Sequence, residues 1–452
     1  MRWTKLTRLV ALLFAFTLIA AACGDDDDSG GASGASSTED AAEDSAEDAV
    51  EDSDEEPDDE AAEEPAEEPA EEPAEEPAEE PAEPVLLYSI LDENEALGQF
   101  FPESRAALDA AVAYVNDNGG FGGSGRPLEI EICVGEIDAD QNAECGRELV
   151  ASDAIAAVGS AICTNDTAYP ILNEATPAVP NIGALTCLPS TFGVPNAFWV
   201  NHGLQGSAIL EATIACRVLE AETVYLNLVG VDSILATQPV YDGTLQALGC
   251  DPSARTIEMA RDQFDGVPAV AQFAGADVVL NLLAPPQPAP IINAAAQQGT
   301  TATLVFTPTN MSSVILKATE GNNEGVMTAR WYRAPDADVP GNDSFRTYLE
   351  ATGGSETMGD EFGTMAWVAV LALDQAYRDC ADCEFSREDA QRAMENLSGF
   401  DAGGLAPVLD YSVLPIGHPA AANFPRIPFL TGFAGIVEDG QIVTFGDGEP
   451  IG

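Results

Sequence analysis

The pattern of apolar positions changes character twice along the chain. Residues 9–22 form an almost unbroken apolar run, residues 24–84 hold hardly any large apolar side chain, and from Val85 onward short apolar stretches alternate with amphipathic ones. Val85–Leu91 reads as a strand. Residues 103–116 place Ala106, Ala107, Ala110, Ala111, Tyr114 and Val115 at helical spacing and stop at Asn118-Gly119-Gly120. The cycle repeats as strand 128–134, helix 142–151, strand 154–159, helix 167–175, strand 179–182, an extended stretch 197–201 and helix 205–220. A second series follows: strand 223–229, helix 237–248 with Pro239 in its first turn, strand 277–283, helix 289–298, and strands 302–307 and 325–331. Residues 278–283 are apolar enough to be buried on both faces. Helices 343–352, 361–378 and 387–397 and two short strands near 431–437 and 441–445 complete the chain. Such alternation predicts an α/β protein with two doubly wound parallel-sheet lobes.

At 452 residues, length allows two or three domains. Charge divides the chain in the same places as hydropathy. Arg2, Lys5 and Arg8 precede the 14-residue apolar run, which is too short to span a membrane comfortably and reads as an export signal. Residues 24–84 carry 29 acids and no base, and 63–82 are five copies of Glu-Glu-Pro-Ala. Such a segment cannot bury a core. Its self-repulsion and regular prolines favour polyproline II, so it is expected to be a spacer reaching at most about 190 Å at ~3.1 Å per residue. An acidic tail for a basic partner or divalent cations is the other reading of this segment. Residues 85–452 keep 48 acids against 14 bases, a net of −34 that would repel phosphates and argues against nucleic-acid binding. Two lysines and two histidines in the whole chain leave few general bases or metal ligands.

Several stretches together resemble a known family. Ile19-Ala20-Ala21-Ala22-Cys23-Gly24 is similar to a bacterial lipobox, in which the cysteine becomes acylated and amino-terminal; Ala20 stands where leucine is usual. Phe100 and the helix ending Asn116-Asp117-Asn118-Gly119-Gly120, the run from Val158 through Gly159-Ser160-Ala161-Ile162-Cys163-Thr164 to Asn165, the loop Pro180-Asn181-Ile182-Gly183-Ala184-Leu185-Thr186, and Phe362-Gly363-Thr364-Met365-Ala366-Trp367 opening a long helix resemble type 1 periplasmic binding proteins. The resemblance is to the branched-chain amino-acid-binding (Leu/Ile/Val-binding) group that serves ABC importers. It implies two lobes joined by a three-stranded hinge, with lobe 1 holding 85–203 plus 335–430 and lobe 2 holding 204–334 plus 431–452. Residues 1–23 would then be the lipoprotein signal peptide and 24–84 a disordered stalk. The implied function is capture of a small solute between the lobes by hinge closure, without enzymatic activity, cofactor or metal, and delivery to an ABC permease. The implied location is the outer face of the cytoplasmic membrane, held to the lipid bilayer through acylated Cys23. A surface sensor or adhesion module with the same fold and no transport role is the alternative.

The resemblance also carries over individual positions. Cys163, Thr164 and Asn165 fall where the family binds the ligand carboxylate with a hydroxyl and free backbone amides, Thr186 matches a second threonine region, and Phe100 matches an aromatic that covers the ligand. On lobe 2 the matching positions are Ser233, Pro285 or Pro286, and 307–310, with Thr309 where relatives place an acid for an ammonium. An unpaired buried ammonium is costly, so amides and small carboxylates stand beside amino acids as ligand classes, with Asp232 a substitute anion or a solvated loop acid.

Without Cys23 eight cysteines remain, and the element order suggests the disulfides Cys133–Cys145, Cys163–Cys187, Cys216–Cys250 and Cys380–Cys383, as fits an exported chain. No second cysteine or histidine pair accompanies Cys380-Ala381-Asp382-Cys383 at zinc spacing. His202 and His418 stand far apart, there is no Gly-x-Ser-x-Gly elbow, and no Gly-Lys-Ser/Thr follows the glycines 119–123. Asp138-x-Asp140-x-Asn142 lacks the later glycine and glutamate of a calcium loop and reads as a helix cap.

If the acidity of the body is an adaptation to salt, screening of its self-repulsion should stabilise the fold. The melting temperature is then expected to climb steeply between low and molar salt; a flat response in a thermal scan would remove that reading.

Overall fold

Central strands of the chain carry unbroken apolar runs, and edge strands alternate. In this computed structural model, which describes residues 82–93, 102–135, 138–161, 165–185, 189–250, 255–416 and 424–452, β1 (Val85–Leu91) is buried along nearly its whole length. Around it β2 (Leu128–Val134), β3 (Ala157–Val158), β4 (Asn181–Ile182) and β5 (Ala197–Phe198) form an all-parallel sheet of order β2-β1-β3-β4-β5. The connecting helices are α1 (Pro102–Asp117), α2 (Ala139–Ala151) and α3 (Asn165–Glu174). Asp138 caps α2, accepting from the amides of Asp140 and Gln141, which is the role its sequence pattern suggests.

The second sheet repeats this wiring. After α4 (Gly203–Thr213) come β6 (Val224–Val229), α5 (Asp232–Leu235), α6 (Gln238–Leu248), β7 (Arg255–Met259), α7 (Val267–Val270), β8 (Val278–Leu282), α8 (Pro288–Gln298), β9 (Thr303–Phe306), α9 (Ser313–Ala318) and β10 (Met327–Arg330). Its parallel part runs β7-β6-β8-β9-β10, the same order as the first sheet. Three departures from the sequence reading stand out. The edge strand β7 was not foreseen, because Arg255-Thr256-Ile257-Glu258-Met259 offers only two buried apolar residues to the periodicity. The last strands, β11 (Phe433–Glu438) and β12 (Gln441–Thr444), pair antiparallel, so the second sheet is mixed. The expected single helix over 205–220 changes after Thr213 into a wider turn over Ile214–Val218.

The chain passes between the sheets three times. Residues 199–202 lead from β5 to α4; residues 331–334 lead from β10 to α10 (Pro340–Ala351), α11 (Glu361–Arg378) and α12 (Arg387–Asn396), which pack with α1 beside the first sheet; residues 429–432 return to β11. The three segments are packed into one another. The His202 ring meets Trp331 and Phe429 edge to face at centroid distances of 6.3 and 5.6 Å, so one side chain from each segment shares the contact. Tyr332 Oη donates to the Val200 carbonyl at 2.8 Å and Trp331 Nε1 to Ser207 Oγ at 3.0 Å. All of these aromatic rings are buried, and burial pulls the His202 pKa down to about 4, so the hinge histidine is neutral at pH 7.

At the end of β10, Arg330 forms a salt bridge with Glu361, N to O 2.9 Å, with both side chains 1% exposed. Arg330 Nε and Nη2 also donate to the carbonyls of Tyr332 and Gly359, and the Trp331 amide donates to Glu361 Oε2. The pair thus fixes the second crossing segment to the start of α11. Among the described residues three disulfides are formed, Cys133–Cys145, Cys216–Cys250 and Cys380–Cys383. Cys163 and Cys187 lie outside the described residues, as do the signal segment, Cys23 and the stalk up to 81.

Removing one partner of a buried pair strands the other charge. Arg330→Met is expected to cost about 3–5 kcal/mol in chemical denaturation, and Arg330→Met with Glu361→Leu to recover most of it. Thiol titration of the unreduced protein is expected to find no free cysteine other than Cys23; two or more would refute the pairing proposed for Cys163 and Cys187.

Candidate functional site

In an open parallel sheet, ligands gather outside the carboxyl ends of the strands where the strand order reverses, because the flanking connections there diverge to opposite faces. Order 2-1-3-4-5 places that point between β1 and β3 in lobe 1 and between β6 and β8 in lobe 2. The lobe 1 wall therefore begins at Asp92 and Ala161, whose backbones pair at 2.9 Å. Asp92 is buried and accepts from Asn142 Nδ2 at 2.8 Å. Gly159 and Gly183 turn the chain out of β3 and β4 with φ of 58° and 68°. A Cβ there would meet Ala366 at 2.9 Å and Ala369 at 2.3 Å, so these glycines let α11 lie directly against the strand ends.

Among the positions singled out from sequence, Phe100, Cys163, Thr164 and Thr186 fall outside the described residues, and Asn165 opens α3. On lobe 2, Asp232 and Ser233 open α5 directly after β6; Asp232 is exposed and Ser233 half-buried. Pro285 follows β8 and is joined to Pro286 by a cis peptide. Thr309 lies in the short turn Pro308–Asn310 after β9, half-buried, its hydroxyl 3.3 Å from that of Thr307. Each of the three lobe 2 loops thus leaves the carboxyl end of a neighbouring parallel strand.

Two polar residues shape those loops, Asn310, which the sequence reading included only within 307–310, and Gln287, which it passed over. Asn310 accepts from the Leu283 amide at 2.9 Å and donates to its carbonyl at 2.8 Å, clasping the β8 and β9 loops together. Gln287 Nε2 donates to the carbonyls of Ala260 at 2.8 Å and Gln263 at 3.1 Å. Both side chains are buried, and no periodicity marks a polar residue whose partners are backbone groups far away in sequence.

A cluster of acids on lobe 1 was missed as well. Glu103 in the first turn of α1, Asp360 before α11 and Glu361 at its start are each 3% exposed. Burial, followed by the charge of Asp360, pushes the Glu103 pKa up to about 8. Burial also raises Asp360 to about 6, against its hydrogen bonds with Ser313 and the Arg330 charge, and raises Glu361 to about 7, again against Arg330. Nearby, Glu93 holds Arg105 through two bonds of 2.8 and 3.1 Å. The only sequence signal was acids in the first turns of two helices, which by itself marks a favourable helix dipole.

A groove of about 960 Å³ runs beside this cluster, with Ser313, Lys317, Asp336, Arg346, Glu350 and Asp360 in its walls. It does not include the strand-end positions above. The strand ends are the better candidate site, since the strand order of both sheets reverses there, whereas the groove lies among helix flanks and the β11–β12 turn and carries mixed charge. Among the described residues no group of three or more His, Cys, Asp or Glu could hold a metal ion, and no helix is long and apolar enough to cross a membrane.

Similarity to known proteins agrees with the topology. Residues 90–414 match a family model described as periplasmic binding protein. No curated protein matches the sequence significantly. Among solved structures, an extracellular ligand-binding receptor from Verminephrobacter eiseniae aligns over 79% of this chain and 99% of its own at a TM-score of 0.67 and 17% identity. A leucine-binding protein from Thermotoga maritima aligns over 81% and 98% at 0.64 and 16%. A solute-binding protein of an ABC transporter from R. palustris, in complex with benzoate, aligns over 81% and 97% at 0.64 and 17%. The family match over most of the chain and the repeated 2-1-3-4-5 wiring of two hinged lobes lead to one conclusion: this chain belongs to the periplasmic binding protein family, with the type 1 fold.

Proposed function

We propose that this protein is the solute receptor of an ABC importer, displayed on a lipid anchor at Cys23 and an acidic spacer, which captures a small carboxylate or amide between its lobes. The observation that carries the reading is the chemistry of the lobe 2 strand ends. Ser233, Pro285 and Thr309 offer hydroxyl and apolar surface, and the acid beside them, Asp232, is exposed. An ammonium closed into such a site would lack a buried anion at the place where relatives supply one, whereas a carboxylate or a neutral group would not. The carboxylate itself would be held on lobe 1 by Thr164, Thr186 and the amides opening α3, covered by Phe100. Structural neighbours from R. palustris in complex with benzoate and 4-hydroxybenzoate support anionic solutes of this size as a class for the fold.

A thermal-shift screen tests the proposal, using protein unfolded and refolded to strip carried-over solute. Ligand at 100 times its Kd should stabilise the fold by about 2.7 kcal/mol. Hits are expected among amides, small carboxylates and aromatic acids. Hits confined to leucine, isoleucine and valine would overturn the solute class and make Asp232→Asn the next variant to measure, and silence across the panel would count against a solute receptor.

A further inference from the structure

Two motifs that the solute site does not use meet at one place on lobe 1. The first is the glycine turn after α1. A Cβ on Gly120, whose φ is 73°, would stand 2.5 Å from the Arg126 carbonyl, and one on Gly122, at φ 61°, would stand 2.9 Å from Tyr377 Cβ on α11. The turn can therefore fold tightly against α11, and the Gly122 amide donates to Asp374 there at 2.7 Å. So folded, it holds Arg126 at both backbone ends: the Phe121 amide donates to its carbonyl at 2.9 Å, and its own amide donates to Ser124 Oγ at 3.2 Å.

The second motif is Cys380-Ala381-Asp382-Cys383, whose disulfide closes the bend between α11 and α12. Just beyond it, Phe385 stacks on Tyr377 at 5.5 Å and tilts against buried Phe121 at 6.0 Å. The Arg126 guanidinium lies over the Phe385 ring, 4.7 Å from its centroid. A guanidinium stacks by its face and donates in its plane, so one side chain can meet both a ring and a pair of acceptors. Arg126 Nε donates to the Glu83 carbonyl at 2.7 Å and Nη2 to the Pro84 carbonyl at 3.1 Å. These are the last two residues of the acidic segment before β1.

We propose that Arg126 and Phe385 form a seat for the end of the acidic segment, so that the body is tethered through lobe 1 at the pole opposite its solute site. The placing of the solute rests on the function proposed above; the seat does not.

The pole follows from the sheet. Glu83 and Pro84 precede Val85, the first residue of β1, whereas the strand-end site begins past its last. Seven residues of strand at about 3.3 Å each put about 23 Å between the two. A spacer seated there has to run back along the lobe for about eight residues at ~3.1 Å each before it adds any reach beyond the strand ends. Both bonds of the seat go to main-chain carbonyls and not to the carboxylates around them, so the hold is set by geometry and is not a surface ion pair that salt would weaken.

Nuclear spin relaxation of the Glu83 amide in the full chain, held in detergent micelles, tests the seat without any solute. Its order parameter is expected to match the rigid strand β1, at about 0.85, and to drop below about 0.6 in Arg126→Gln. Arg126→Lys keeps the charge but loses the fork and should restore little of that order. Phe385→Leu, which removes the stacked ring, should lower the value as well, and it serves as the test if Arg126→Gln does not fold. Glu83 as mobile in the wild type as in Arg126→Gln, full order kept in Arg126→Lys, or an equal loss of order at the Val85 amide would each overturn the proposal, the last by showing that Arg126 supports strand β1 and not the segment before it. Failure of acylation at Cys23, read from the mass of the mature chain, would count against the lipid anchor and leave these order parameters as they are.

Discussion

A charged residue can be buried where the chain crosses between two sheets only if a partner of opposite charge is buried with it. Arg330 and Glu361 meet this condition at the point where the second crossing segment leaves the second sheet and approaches α11. Arg330 also satisfies the carbonyls of Tyr332 and Gly359, and Glu361 receives the Trp331 amide, so the bend after β10 is specified by charge and direction and not merely by apolar contact. Apolar residues of similar volume would pack as well or better at that place. What the ion pair adds is register. The helix that covers the first sheet is tied to the last parallel strand of the second.

Identical wiring in the two lobes explains why a site arises without any residue built solely for it. In each sheet the first strand lies second from the edge and the chain reverses beside it, so each lobe presents diverging loops at the carboxyl ends of its strands. In lobe 2 those loops are then stiffened by polar side chains turned on the backbone, Asn310 onto residue 283 and Gln287 onto 260 and 263. Ser233, Pro285 and Thr309 on these loops are half-buried and offer hydroxyls and apolar surface.

Fold class and site could be read from sequence to different depths, for physical reasons. Period-2 and period-3.6 patterns are strong in elements such as β1 and α1, where one residue type repeats on a buried face, and they locate these elements to within a few residues. They fail at β7, where an edge strand buries only Ile257 and Met259, and at β11 and β12, whose direction is set by pairing and not by composition. The lobe 2 positions came from the family resemblance, and they lie on the loops after β6, β8 and β9. The acids Glu103, Asp360 and Glu361 were not legible, because 257 positions separate Glu103 from Asp360 and only the folded chain joins them. Their abnormal proton affinity is a property of that meeting.

The interlobe region divides its labour between two kinds of contact. His202, Trp331 and Phe429 touch edge to face, and such contacts depend weakly on angle, so the crossing segments can twist by small amounts without losing their packing. The hydrogen bonds of Tyr332 to Val200 and Tyr411 to Trp199 hold the ends of that hub in place. Hydrogen bonds across the gap behave differently, since a displacement of an ångström breaks them. Asp360 and Ser313 supply two such bonds, each to a group that can carry charge assistance and so worth about 1.5–3 kcal/mol. Reversing a two-state population from 1:99 to 99:1 takes about 5.5 kcal/mol of differential affinity. A contact of that order is a sizeable share of such a balance, and it lies beside the aromatic hub through which the chain crosses between the sheets.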